Sequence, residues 1–189
     1  MISLALASVA FSISAFAVAA ILSGLFLLGK DKGEGSNKTL GVINVMVGSS
    51  IFISSLLLFL TTPFGTSDVA DKVQLMFSAL QVFFAFVWIS FGCSLLFNWD
   101  MKFIGSLAMV LFIYNVIAFF ALPTMWSAAF STGEMVIVEV TLLSYLFDEA
   151  GFWSVTHGKM SATPQGYFLI VSGILSILLA LIPGGIFPI

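Results

Sequence analysis

The chain has 189 residues, of which 60% are hydrophobic and only 8% are charged, whereas a soluble globular domain carries roughly 25% charged residues. Together with a mean hydropathy of +1.18, this composition excludes a water-soluble fold. A membrane-spanning helix needs about 20 mostly apolar residues, and six windows are long enough: 2–28, 41–62, 74–97, 103–122, 130–150 and 167–187. We therefore predict an all-α polytopic membrane protein, a single domain over 1–189 with six transmembrane helices and no soluble catalytic domain.

The formal net charge is −3, but the placement of the six lysines is more informative. Five of them lie between windows one and two, three and four, or five and six: Lys30, Lys32, Lys38, Lys102 and Lys159. Only Lys72 lies in an alternate loop. Loops rich in lysine stay in the cytoplasm, so we expect a multi-pass protein of the bacterial inner membrane with both termini outside. The first window lacks a basic segment before it, and we interpret it as a retained helix rather than a signal peptide.

The first window carries small residues at spacings of three and four, including Ser8, Ser12 and Ala15. Such a stripe is typical of a seam where helices approach closely in lipid. It would also suit the polar wall of a pore. The sequence leaves both interpretations open.

Prolines and glycines recur along the chain in a way that indicates three repeats. Pro63, Pro123 and Pro183 end the even-numbered windows at intervals of 60 residues. The pairs Gly29-Lys30 and Gly158-Lys159 precede two of these windows. Internal periodicity of this kind predicts tandem structural units, here three helical hairpins over about 1–63, 74–123 and 130–187. Hairpins arranged around an axis would leave a path through the centre of each protomer.

The third window contains a dense aromatic group between Phe83 and Trp88. Residues three and four apart share a helix face, so Phe84, Val87 and Trp88 point in the same direction. That face would form a narrow apolar slot, although ordinary core packing would also account for it.

The charged residues that lie farthest inside any predicted span are in the fifth window. Glu139 is flanked by valines, and an intramembrane carboxylate is a candidate functional residue because burying it is costly. A later start of the helix would instead place Glu139 at the outer interface. We interpret Asp148 and Glu149 as the solvent-exposed cytoplasmic end of this helix.

Few residues offer enzyme chemistry. The chain has a single histidine, His157, in a predicted cytoplasmic loop, and a single cysteine, Cys93, within the third window. There is no glycine-rich phosphate loop and no set of metal-spaced ligands. We expect neither an enzyme nor a metal site, cofactor or nucleic-acid partner.

Several motifs resemble the bacterial family of urea channels and short-chain amide transporters. The stretch Ser23–Lys30 is similar to the family's Asn-Gly-Leu-Trp-Leu-Leu-Gly, and Gly41–Gly48 resembles the opening of its second span. Phe84–Trp88 is similar to its Phe-Gly-Phe-Thr-Tyr, and Asp100 and Lys102 then fall on its acidic and basic loop positions. The final part of the chain resembles the family at three further places: Gly158-Lys159, Ser172-Gly173-Ile174-Leu175 and Pro183.

The resemblance implies three hairpins, a pore in each protomer, a homo-hexamer, and passive permeation of urea or a small amide such as acetamide. It puts the family's pore-lining aromatic pair on Phe84 and Trp88, with Val87 where the family has threonine. Two departures follow, because the family's pore carboxylate falls on Ser172 and its pore-wall asparagine falls on Ser23. The family has tryptophans in the fifth span, where this chain has Glu139, Leu142, Leu143 and Tyr145.

Urea and acetamide are planar and neutral, so a flat aromatic slot with a few polar partners would replace part of their hydration. Our candidate pore residues are Phe84, Val87, Trp88, Ser23, Ser172, Glu139 and Tyr145. Acid-gated members of the family use outward-loop histidines, which this chain lacks, so we predict a channel that is open at neutral and acidic pH. Two alternatives remain: a proton- or ion-coupled transporter that uses Glu139, and a non-transporting membrane scaffold.

Overall fold

The computed structural model describes residues 4–30, 32–61, 67–126 and 132–182, and within these ranges the regular structure is entirely helical. Its six helices are α1 (Leu4–Leu27), α2 (Ser36–Leu60), α3 (Asp68–Phe97), α4 (Met101–Trp126), α5 (Thr132–Thr156) and α6 (Ala162–Leu181). Five of them, all except α5, are long and apolar enough to cross a membrane. The described chain is thus an all-helical, multi-pass membrane-embedded protein, as the composition predicted.

Helix α5 differs from the others in its polarity rather than its length. It has 25 residues, or about 38 Å at 1.5 Å per residue, but carries four acidic side chains: Glu134, Glu139, Asp148 and Glu149. These charges lower its hydropathy below that of the five apolar helices. Two of these side chains, Asp148 and Glu149, are buried inside the protein.

The six helices form a closed ring. Each helix packs against its two neighbours in the chain, and α6 completes the ring by packing against α1. The most extensive interfaces join α2 to α3, α1 to α6, and α4 to α5. These pairs combine helices from different predicted hairpins, and the division of the chain into three hairpins stays a prediction.

Two of the three most extensive interfaces depend on glycine. A Cβ atom added at Gly92 of α3 would lie 2.6 Å from the carbonyl oxygen of Gly41 in α2. A Cβ atom added at Gly24 of α1 would lie 2.6 Å from the carbonyl oxygen of Gly166 in α6. At both crossings the two backbones touch, which only a residue without a side chain permits. We call these two interfaces the glycine seams.

The odd-numbered helices end in the same way, which gives the Gly-Lys repeat a structural cause. Gly29 and Gly158 have positive φ angles of 76° and 68° just after α1 and α5, and Asn98, with φ 58°, caps α3. In this left-handed conformation the chain satisfies the last helical carbonyls and turns. The amide of Lys30 donates to Leu25 O at 3.0 Å, and the amide of Lys159 donates to Ser154 O at 2.7 Å.

The proline part of the repeat is only partly visible. Pro63 and Pro183 lie outside the described residues. Pro123 lies inside α4, which continues to Trp126, so this helix ends three residues later than the sequence indicated. The proline sits in the last turn, where few carbonyls lose a donor.

Five of the six lysines lie at one end of the ring. The turns after α1, α3 and α5 all lie at this end, which we call the lysine-rich end, and they or the helix starts next to them carry Lys30, Lys32, Lys38, Lys102 and Lys159. The opposite end carries Lys72 near the start of α3 together with the acidic residues Asp68, Asp71 and Glu134.

Candidate functional site

Three aromatic rings meet across the middle of the ring of helices. The ring of Phe16 on α1 lies 5.3 Å from that of Phe84 on α3 and 4.8 Å from that of Tyr145 on α5, and the rings of Phe84 and Tyr145 are 5.1 Å apart. We call these three residues the aromatic layer. Since α1, α3 and α5 are not neighbours in the ring, these contacts bridge its interior.

A cavity lies against the aromatic layer, on the side of the lysine-rich end. Its volume is about 50 Å³, measured as room for the centres of water-sized spheres. A single water molecule needs about 10–15 Å³ on this measure, so the cavity has room for about four waters. Its lining is aromatic (Phe16, Phe84, Trp88, Phe91, Tyr145, Phe152), aliphatic (Val87, Ala108, Leu111, Leu169) and polar (Asp148, Glu149, Gln165).

Asp148 on α5 is held in the lining by α6. The hydroxyl of Ser172 donates to Asp148 Oδ2, and the side-chain amide of Gln165 donates to the main-chain carbonyl of Asp148 at 3.0 Å. The hydroxyls of Tyr145 and Ser176 are 2.6 Å apart. Since Ser176 donates its proton to the carbonyl of Ser172 at 2.6 Å, the Tyr145 hydroxyl is the donor to Ser176.

Glu149 is held by the other neighbour of α5. The side-chain amide of Asn115 on α4 donates to Glu149 Oε1. Consecutive residues point in different directions around a helix, so α5 directs Asp148 toward α6 and Glu149 toward α4. Both residues also belong to the lining of the cavity, which lies between these two interfaces.

Four polar atoms of the lining lack a hydrogen-bond partner. They are one donor, Trp88 Nε1, and three acceptors, Asp148 Oδ1, Glu149 Oε2 and Gln165 Oε1, and all four are buried. A buried polar group without a partner costs about 1–3 kcal/mol. The assignment of Gln165 follows from its bond, because its amide nitrogen is already engaged with the Asp148 carbonyl. Residues around the cavity therefore carry one buried donor and three buried acceptors without a partner in the protein.

The structure brings four of the predicted pore residues together at this cavity: Phe84, Val87, Trp88 and Tyr145. Ser172 is next to it, since it bonds the Asp148 carboxyl. The role of these residues as a pore constriction stays a prediction.

The structure does not bring Ser23 or Glu139 to the cavity. Ser23 is fully buried between α1 and α2, where Asn44 donates to its hydroxyl at 3.4 Å. Glu139 is half-buried and lies six residues before Tyr145, which puts it about 120° around α5 from that side chain. Neither of them borders the cavity as its lining is defined by the described residues.

The interpretation of Asp148 and Glu149 as a solvent-exposed helix end is wrong. They are only 6% and 5% exposed, and α5 continues to Thr156. Sequence reasoning missed them because they follow an aromatic residue near the apparent end of an apolar window. The available signal was the length of the helix, since the apolar segment Ala150–Val155 continues it past the two acids.

The described residues contain no group of three or more histidine, cysteine or acidic side chains placed to hold a metal ion. His157 stacks on Trp153 with ring centroids 4.8 Å apart, at the lysine-rich end. Cys93 is a free thiol outside the cavity lining.

Comparisons of the chain with protein families, with curated proteins and with solved structures found no match. The resemblance to urea channels and amide transporters therefore rests on the sequence motifs alone.

Proposed function

We propose that this protein is a passive channel for a small neutral solute, urea or a short-chain amide. The observation that carries the proposal is that residues lining the cavity hold four buried polar atoms without a partner: Trp88 Nε1, Asp148 Oδ1, Glu149 Oε2 and Gln165 Oε1. Ligand sites in proteins combine an apolar wall with a few converging polar groups, and this cavity has that composition.

The unpartnered atoms complement an amide. Urea and primary amides have one carbonyl acceptor and several N–H donors. In the proposed complex the indole N–H of Trp88 donates to the solute carbonyl, and the solute N–H groups donate to the free carboxyl oxygens of Asp148 and Glu149. The aromatic faces of Phe84 and Tyr145 contact the flat solute. The cavity has room for about four waters, which supports a small solute of the size of urea or acetamide.

The same proposal includes the topology. We propose that α5 also crosses the membrane, because it packs between α4 and α6 in the ring and directs its carboxyls inward. With six crossings, the lysine-rich end faces the cytoplasm of a bacterial inner membrane by the positive-inside rule, and both termini face outward. A homo-hexamer of such protomers, each with its own pore, is the assembly that the family resemblance implies.

A proton-coupled transporter is the second candidate, and one observation favours it. Asp148 and Glu149 are adjacent, buried acids, and the lysines all lie in loops or near helix starts. Intramembrane acids of this kind mark proton relays in transporters. In this version the carrier would use these two residues rather than the predicted Glu139.

Stopped-flow light scattering of proteoliposomes under an inward urea or acetamide gradient tests the proposal. We expect reswelling much faster than in protein-free liposomes, and a rate that does not follow an imposed pH gradient. In Trp88→Phe, which keeps the aromatic ring but removes the free donor, the flux should fall about three- to tenfold. Trp99→Phe is the matched control, because Trp99 is 55% exposed in the turn before α4.

The outcomes separate the candidates. Reswelling as slow as in protein-free liposomes for both solutes would contradict any transport function and leave a scaffold. Fluxes that rise and fall with the pH gradient would favour the proton-coupled carrier. Equal loss in Trp88→Phe and Trp99→Phe would show that the cavity is not the route.

A further inference from the structure

Two glutamines of α3 lie outside the cavity just described, on the other side of the aromatic layer. Gln74 and Gln81 are only 6% and 8% exposed, and Oε1 of each is buried without a hydrogen-bond partner. Buried glutamine oxygens without a partner are costly in an apolar interior. The described protein groups leave both of them unsatisfied.

Helix geometry directs both side chains into the ring. Gln74, Gln81 and Trp88 are seven residues apart, so they lie on nearly the same face of α3, with Gln81 about 10 Å and Gln74 about 20 Å from Trp88 along the axis. Trp88 borders the cavity, so this face looks toward the interior. Leu75, next to Gln74, is on the outside and is 58% exposed.

The two described hydroxyls at the same level on α1 and α5 are not available to donate to Gln81. Ser12 and Thr141 precede Phe16 and Tyr145 of the aromatic layer by one turn, as Gln81 precedes Phe84. Ser12 donates its proton to Val9 O at 2.9 Å, and Thr141 donates to Ile137 O at 2.7 Å. Both hydroxyl protons are therefore used within their own helices.

The α3 residue between the two glutamines is also engaged. The hydroxyl of Ser78 donates to Ser55 O at 2.9 Å, and the hydroxyl of Ser55 donates to Ser78 O at 2.8 Å. This reciprocal pair fixes α3 against α2. It therefore holds the glutamine face at a constant rotation toward the interior.

We propose that Gln74 and Gln81 form a second binding station for a small neutral molecule that donates N–H hydrogen bonds. The station lies between the aromatic layer and the end of the ring opposite the lysine-rich end. The station rests on the proposed function, since its solute is the one that reaches the cavity. Each glutamine oxygen accepts a solute N–H in turn. The aromatic layer then separates two polar sites on a single route.

Cysteine labelling in proteoliposomes tests the station without requiring transport. In a Cys93→Ser background, Gln74→Cys and Gln81→Cys are exposed to a membrane-impermeant methanethiosulfonate reagent from the side opposite the lysine-rich end. We expect both to react at least about tenfold faster than the lipid-facing control Leu75→Cys, because a thiol reacts as its thiolate, which needs water. An excess of urea or acetamide should slow the labelling of both variants, because Gln74 remains as an acceptor in Gln81→Cys and Gln81 remains in Gln74→Cys.

Each result supports or overturns the proposal. Fast labelling that the solutes slow supports it. Fast labelling that they do not slow would mean that water alone fills this part of the ring, and no acceleration over Leu75→Cys would mean that it is dry; both overturn the station. If Gln81→Cys does not fold, Gln74→Cys alone decides between these outcomes. A flux that depends on Trp88 could persist in either case, so this failure is distinguishable from failure of the channel proposal.

Discussion

The glycine seams and the two interfaces of α5 hold the ring together by different means. At the seams, backbone meets backbone across Gly92 and Gly41, and across Gly24 and Gly166, with no room for a single added carbon. On both sides of α5, side-chain hydrogen bonds from Asn115 and Ser172 reach carboxyl groups instead. The comparison teaches that the seams bring backbones into contact, with the serine pair of α2 and α3 as a polar addition, whereas the interfaces of α5 place carboxyl groups between helices. The cavity lies beside the helix that carries the carboxyl groups.

The largest effect on stability is expected at a seam. In Gly92→Ala the new Cβ would lie 2.6 Å from a backbone oxygen and 2.8 Å from the Val45 nitrogen, so α2 and α3 must separate. Overpacking of this kind costs about 1–3 kcal/mol, which thermal unfolding in detergent, followed by circular dichroism, would detect. Gly33→Ala is the control, since its nearest atom, Ser36 Oγ, is at an ordinary 3.5 Å. Equal unfolding temperatures for the two variants would contradict a tight seam.

The next effect should be on flux rather than on stability. In Asp148→Asn the side-chain oxygen must face the Ser172 hydroxyl, so the amide group replaces the free acceptor Oδ1 in the cavity. Leaving a buried polar group without its partner costs about 1–3 kcal/mol, so we expect a loss of urea flux of about fivefold or more. Light scattering of proteoliposomes measures it, with the exposed Asp71→Asn as control. Unchanged flux in Asp148→Asn would remove the carboxyl from the route.

A smaller effect is expected from Tyr145→Phe. It keeps the ring in the aromatic layer but removes the hydroxyl that donates to Ser176 at 2.6 Å. One buried hydrogen bond contributes about 1 kcal/mol, so the free energy of unfolding should fall by about that amount. Tyr167→Phe, at a position that is 59% exposed, should leave the unfolding temperature unchanged. A larger loss in the control would mean that the α5–α6 interface does not depend on this bond.

The smallest loss of stability is expected from Gly151→Ala, and it sharpens the comparison most. The new Cβ would meet Oε1 of Gln165, which is the end of a flexible side chain and can move aside, whereas a backbone oxygen cannot. The cost should be one hydrogen bond from Gln165 to the Asp148 carbonyl, about 1 kcal/mol or less. Gly151→Ala should unfold at a higher temperature than Gly92→Ala. The reverse order would mean that the α5–α6 interface is packed more tightly than the α2–α3 seam.

Hydropathy predicted the helices well because a span depends on the number of consecutive apolar residues, which a sequence displays directly. The lysine pattern also has a visible cause, since Gly29 and Gly158 end their helices in the left-handed conformation. The helix ends were less accurate. Pro123 was expected to end α4, but a proline in the last turn is compatible with three more helical residues.

The rotation of each helix was harder to predict than its existence. Glu139 and Asp148 lie in the same helix, and only packing against α4 and α6 shows which of them faces inward. The face of α3 was easier, because Phe84, Val87 and Trp88 share it and the structure places all three at the cavity. The sequence did not predict a role for Asn115, because an asparagine in an apolar window can be interpreted only when its partner, here Glu149, is known.

The aromatic layer has a consequence for timing. In the proposed route the aromatic layer lies between the two polar stations, and its three side chains come from three different helices. Turning one of these side chains aside about χ1 and χ2 moves far fewer atoms than the rigid-body helix motions of microseconds to milliseconds that a rocking mechanism needs. In the proposed channel, rearrangement of these side chains would therefore set the rate of passage.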